Sequence, residues 1–135
     1  MKVLMLSKVF LKGHPRAGEP TMFREKYESG EKIHTIRRNE KGYYKDGDIV
    51  SIRQWSGKPR HSKQEIIGEC KIGLRHVHMW YRGYILTIRS DNRPLKCCSI
   101  AENDGLNQFE FRDWFFPTGE GYLSGDIIHF TDFRY

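Results

Sequence analysis

The segment Ser29–Arg37, SGEKIHTIR, holds the densest set of groups able to do chemistry in this chain. Gly30, Lys32, Thr35 and Arg37 form the pattern G-x-K-x-x-T-x-R, which brings an ammonium, a hydroxyl and a guanidinium close together in sequence. The planar fork of Arg37 suits a carbonyl, a carboxylate or a phosphate. A second concentration begins where the first ends. Between Arg37 and Gln64 eight cations (Arg37, Arg38, Lys41, Lys45, Arg53, Lys58, Arg60, Lys63) face three carboxylates (Glu40, Asp46, Asp48), so most of the net charge of +6 sits in about one-fifth of the chain. Tyr43, Tyr44, Trp55 and His61 are interleaved with them. Cations neutralise phosphates while ring faces take bases, so the stretch suits RNA, with Arg37, Arg53, Trp55, Lys58 and Arg60 as candidate ligand-binding residues. A solvated basic loop has the same composition.

Other chemistries lack their signatures. No Walker loop, dinucleotide fingerprint, G-x-S-x-G elbow or H-E-x-x-H occurs, which excludes the easily recognised ATPases, dehydrogenases, hydrolases and zincins. His76 and His78 share one face of an extended segment but offer only two ligands, and Cys70, Cys97 and Cys98 have no zinc-site spacing. No metal and no cofactor is expected. Three cysteines are also too few and too oddly numbered for a disulfide framework, which fits a reducing compartment.

The elements that must position these residues read as follows. Met1–Phe10 predicts a strand, ended by Gly13, His14 and Pro15. Pro20 opens a helix over Thr21–Ser29 with Met22, Phe23 and Tyr27 as its apolar stripe, and Gly30 stands at its C-terminal cap. Lys32–Arg38 is extended, with Thr35 and Arg37 on one face. Lys32 and Thr35 would fall on opposite faces of a regular strand, so they can converge only if Lys32 still lies in the turn after Gly30. KDGD, residues 45–48, turns into a strand over Ile49–Trp55, and Ser56–Gln64 is a polar loop. Ile66–Trp80 and Tyr84–Arg89 hold two or three further strands. Ile100–Asp104 and Gln108–Phe115 predict two short helices separated at Gly105 and stopped by Pro117, and Gly121–Tyr135 a closing strand.

At 135 residues the chain fits one domain, residues 1–135. Its 38% hydrophobic content is low, while 13% aromatic residues predict a core rich in rings. Val3–Leu11, interrupted by Ser7 and Lys8, is too short to cross a bilayer and lacks a small-residue cleavage site downstream. No membrane association and a cytoplasmic location are expected. Many strands around two or three short helices predict an α+β, mostly β architecture, closed into a small β-barrel because closure removes exposed edges.

Ile100, Ala101, Asp104, Gly105 and Leu106 give a second motif, IAxxDGL, followed by an aromatic helix ending at Trp114 and Phe115. In this order the two motifs, with the KDGD turn and the late closing strand, resemble the ASCH family, whose members have a PUA-like β-barrel. The resemblance extends over nearly the whole chain. It implies RNA binding, ribonuclease activity, or removal of the acetyl group from N4-acetylcytidine. In the amidohydrolase of that family the working residues look like K-x-x-T and a glutamate three residues after an alanine. Lys32 and Thr35 match the first pair, and Asp104, three after Ala101, stands where the glutamate would be, one methylene shorter. By that likeness Lys32, Thr35 and Asp104 are the candidate catalytic residues. A lysine becomes a base for a threonine hydroxyl only if burial lowers its pKa toward neutrality.

Each of these residues also has a plain structural reading. Thr35 is a good strand former, Lys32 can be solvated, Asp104 can cap a helix or form the turn at Gly105, and Trp55, Tyr43 and Tyr44 can be core rings. The leading expectation is a domain binding RNA or a nucleotide-like small molecule in a basic cleft. Its alternatives are an amidohydrolase of an acylated nucleobase and a ribonuclease in which His34, His61 and the lysines serve as acid and base.

Overall fold

In the computed structural model, which describes residues 1–135, two sheets and three short helices enclose the core. The smaller sheet has β1 (Lys2–Met5) parallel to β3 (Ile49–Trp55), which pairs antiparallel with β4 (Gln64–Lys71). The larger contains β2 (His34–Arg37), β5 (Gly73–Arg82), β6 (Ile85–Ser90), β7 (Arg93–Leu95) and β8 (Gly121–His129), in the order β2-β8-β5-β6-β7 and antiparallel throughout. The helices are α1 (Phe23–Glu28), α2 (Cys97–Asn103) and α3 (Gln108–Phe115). No helix is long and apolar enough to cross a membrane.

The architecture is α+β and mostly β, but the expected closed barrel does not form. The two sheets share no ladder, and β2 is an open edge of the larger one. The reason is local: β2 is four residues long and pairs over its whole length with β8, after which the chain leaves the sheet at Asn39 with φ 50°. Nothing remains of β2 to continue a ladder around. Short strands at the edges limit the exposure that closure would otherwise remove.

Two elements begin or end differently from the expectation, each for a local reason. β1 stops at Met5, and past it the Thr21 hydroxyl donates to the Ser7 carbonyl at 2.7 Å. α1 starts at Phe23 rather than Thr21, since Met22 sits in the left-handed region at φ 62°. The core itself is chiefly aliphatic. Rings are a minority of its 21 residues, Phe10, Phe23, Tyr81, Phe111, Phe116 and Phe130 among them.

Candidate functional site

Gly30 ends α1 with φ 81°, a conformation that costs glycine little. The backbone N–H groups of Glu31 and Lys32 then both donate to the Lys26 carbonyl, at 2.8 and 2.9 Å, and Ile33 N–H donates to the Asn103 carbonyl at 2.8 Å. These bonds turn the chain inward and dock it on the end of α2. Lys32 therefore precedes β2, which removes the face conflict with Thr35.

Lys32 is only 2% exposed. Its Nζ donates to the Asp104 carbonyl oxygen at 2.6 Å and to Asp104 Oδ1 at 3.1 Å, and lies 4.1 Å from the centroid of the Phe23 ring. Burial pushes the lysine pKa down, and the Asp104 charge recovers only part of the shift. The DGL half of the second motif has a packing reason. Gly105 has φ 83°, and a Cβ there would press on the Lys26 and Lys32 stems at 3.4 Å.

Asp104 has a second neighbour. His34 is fully buried, with Nδ1 3.4 Å from Asp104 Oδ1 and Nε2 2.6 Å from the Tyr135 hydroxyl. Asn103 donates to that hydroxyl at 3.0 Å, so the one phenol proton is free to go to His34 Nε2. In a neutral imidazole the ring proton then sits on Nδ1, on the side of Asp104. Burial raises the Tyr135 phenol to about 12, which keeps it a donor.

Thr35 and Arg37 stand on one face of β2, opposite Ile128 and Asp126 of β8. Arg37 Nη2 donates to the Met5 carbonyl and so ties the edge of the larger sheet to β1. Lys32, Thr35, Arg37 and Asp104 all line one cavity of about 730 Å³. Trp55 from the end of β3 and Arg60 from the following loop line it too, as do Phe23, Trp114 and Phe115. Lys8 Nζ donates to the Ser56 carbonyl at 2.7 Å, at the start of that loop. Cations Lys8, Lys32, Arg37 and Arg60 oppose the single carboxylate of Asp104. The cavity thus has aromatic walls, a surplus of three positive charges and a buried polar end, and its volume suits a small ligand.

Two sequence candidates lie outside it. Arg53 spends its guanidinium on Ser51 Oγ and Gln64 Oε1, both at 2.9 Å, and Lys58 is exposed in the loop. His34 and His61 are also apart, the first buried against Tyr135 and the second exposed. In the sequence the apolar walls Phe23, Trp114 and Phe115 show only as helix residues. For Trp114 and Phe115 the signal is the aromatic helix after IAxxDGL, whereas Phe23 stands in the apolar stripe of α1. A wider groove of about 1000 Å³ along α2 and α3 is lined by Glu31, Glu102 and Glu110 against Lys26, a charge balance that disfavours an anionic ligand.

Compared with known proteins, the chain matches no family model, no curated protein and no solved structure.

Proposed function

We propose that this is a nucleotide-binding domain of the ASCH, PUA-like kind, which acts in the cytoplasm and takes a modified nucleobase of RNA, or the free nucleoside, into the cavity. The observation that carries this reading is the convergence of Lys32, Thr35 and Arg37 with Asp104, and of both with Trp55 and Arg60, on one positively charged cavity. Each group has a use there. Trp55, Trp114 and Phe115 offer ring surface to a base. Thr35 and Arg37 can hydrogen-bond its exocyclic groups, and Lys8 and Arg60, both exposed, can meet a phosphate. Titrating the protein with N4-acetylcytidine, cytidine and a single-stranded RNA tests the reading. RNA affinity should fall steeply with salt, and Arg60→Glu should weaken it and flatten the salt slope. No nucleoside binding, together with RNA binding unchanged in Arg60→Glu, removes the reading.

A second reading is an amidohydrolase, supported by a buried lysine of lowered pKa that lines the same cavity as a threonine. The Thr35 hydroxyl would give its proton to unprotonated Lys32 and attack the acyl carbon, forming an ester. The lysine would return the proton to the leaving amine, and water would then hydrolyse the ester. Against it, Lys32 Nζ already makes two hydrogen bonds to Asp104, which favour the ammonium form. Binding therefore ranks first. Deacetylation of N4-acetylcytidine that vanishes in Thr35→Val supports the second reading, and no turnover removes it. A ribonuclease using His34 and His61 has the least support, because the two rings do not share a cavity with the lysine.

A further inference from the structure

The larger sheet carries a ladder of rings that the cavity does not use. His76, His78 and Trp80 alternate along β5 with the buried Val77, Met79 and Tyr81, so they stand on the outward face. Tyr122 of β8 pairs with Trp80 in register. The His76 and His78 centroids are 4.9 Å apart. His78 stacks on Trp80 at 6.0 Å and 27°, and on Tyr122 at 6.0 Å and 16°. Trp80 and Tyr122 lie 5.2 Å apart, and the Tyr122 hydroxyl is 2.6 Å from His78 Nδ1. These rings hold one another in place and form a continuous π surface, half-open to water: the Tyr122 residue is 50% exposed and the His76 side chain 57%.

Two arginines border the rings, and the carboxylates near them already have partners within the protein. Arg82 continues the outward set of β5, and Arg89 of β6 pairs with His78. Asp126 is engaged by His76 Nδ1 at 2.9 Å and Asn39 Nδ2 at 2.8 Å, and Glu120, just before β8, accepts from the Gly83 N–H next to Arg82, so both carboxylates are held within the protein. The positions between the rings are polar, Ser124 opposite His78 and Thr87 opposite Trp80. A protein-docking patch would have an apolar centre. Stacked rings among arginines and hydroxyls instead complement a chain of bases and phosphates.

We infer that this face binds a single strand of nucleic acid, with bases on Trp80 and Tyr122 and phosphates at Arg82 and Arg89. The surface does not depend on the cavity being a nucleoside site, although the two are neighbours in the sheet: Arg37 pairs with Asp126, and Asp126 with His76. A strand held on the ladder therefore runs toward the β2 edge.

Fluorescence anisotropy of the full chain with labelled, unmodified oligouridylate and oligothymidylate at low salt tests this. Wild type should bind. Tyr122→Ala and a combined Arg82→Glu, Arg89→Glu variant should each weaken binding at least about fivefold, while Arg53→Ala on the smaller sheet leaves it unchanged. Tyr122 and Arg82 are exposed enough to be replaced without unfolding, which circular dichroism verifies. Preferential binding of one oligonucleotide identifies the sugar that is read. No binding by wild type, or ladder variants equal to wild type, overturns the proposal. If only Arg60→Glu weakens the complex, the ladder proposal fails while the cavity reading stands. Self-association that disappears in Tyr122→Ala, without oligonucleotide binding, assigns the face to a second copy of the chain and also overturns it.

Discussion

Lys32 Nζ meets both the carbonyl oxygen and the Oδ1 of Asp104, at 2.6 and 3.1 Å, with the two residues 2% and 3% exposed. The pair joins the two sequence motifs physically. Removing one partner leaves the other charge buried, so Lys32→Met and Asp104→Asn should each destabilise the fold by about 3–5 kcal/mol. The double variant should lose clearly less than the sum. Urea unfolding of the four proteins measures this, and additive losses would mean that the pair is not coupled.

Asp104 already reaches Lys32, although it is one methylene shorter than the glutamate of the proposed amidohydrolase pattern. The lysine comes to it, through the turn after Gly30. Asp104→Glu should therefore displace a carboxylate already bonded to Lys32, cost about 1–3 kcal/mol, and bring no gain in turnover of N4-acetylcytidine. A more active Asp104→Glu protein would show that the wild-type carboxylate falls short.

His129 is fully buried, neither ring nitrogen has a partner, and burial with the neighbouring His34, Arg134 and Arg75 pushes its pKa down to about 4. Between pH 6.5 and about 4 the unfolded chain binds a proton here that the folded chain does not, so stability rises with pH through that window. The contribution is complete above pH 6.5 and is lost on acidification toward pH 4, an amount of about 3 kcal/mol. Asp48, whose carboxyl is lowered from 3.8 by its hydrogen bond to Lys2, acts at lower pH. Urea midpoints of His129→Leu should depend less on pH between 4 and 6.5 than those of wild type.

Gly125 controls where Arg37 sits. A Cβ on Gly125 would lie 2.6 Å from the Arg37 carbonyl oxygen and 3.4 Å from the Arg38 Cα, both backbone atoms that cannot swing aside. Gly125→Ala should push β2 away from β8, lower stability by about 1–3 kcal/mol, and reduce nucleoside affinity through Arg37. Calorimetric titration beside urea unfolding separates the two effects. Wild-type affinity in this variant would exclude Arg37 from the ligand contacts.

Much of this arrangement is legible in the sequence where local chemistry decides it. β3 occupies Ile49–Trp55 and α3 Gln108–Phe115 as expected, the latter fixed by a capping box between Asn107 and Glu110. Long-range choices are not legible in the same way. A short β2 looks alike in an open sheet and in a barrel, because closure depends on what lies beyond Asn39. β7 was missed since it is three residues long and contains Pro94. Arg53 resembles Arg60 in a composition count, yet Gln64 and Ser51 capture it, while Arg60 lines the cavity. The ladder went unread as a unit because its rings come from two distant strands, although the spacing of His76 and His78 already put them on one face.

The most direct test of the cavity is calorimetric titration of N4-acetylcytidine and cytidine into wild type, Thr35→Val and Arg53→Ala. Saturable binding by wild type and Arg53→Ala, lost or weakened at least about tenfold in Thr35→Val, is the predicted result; no nucleoside binding, or equal binding by Thr35→Val, would contradict it.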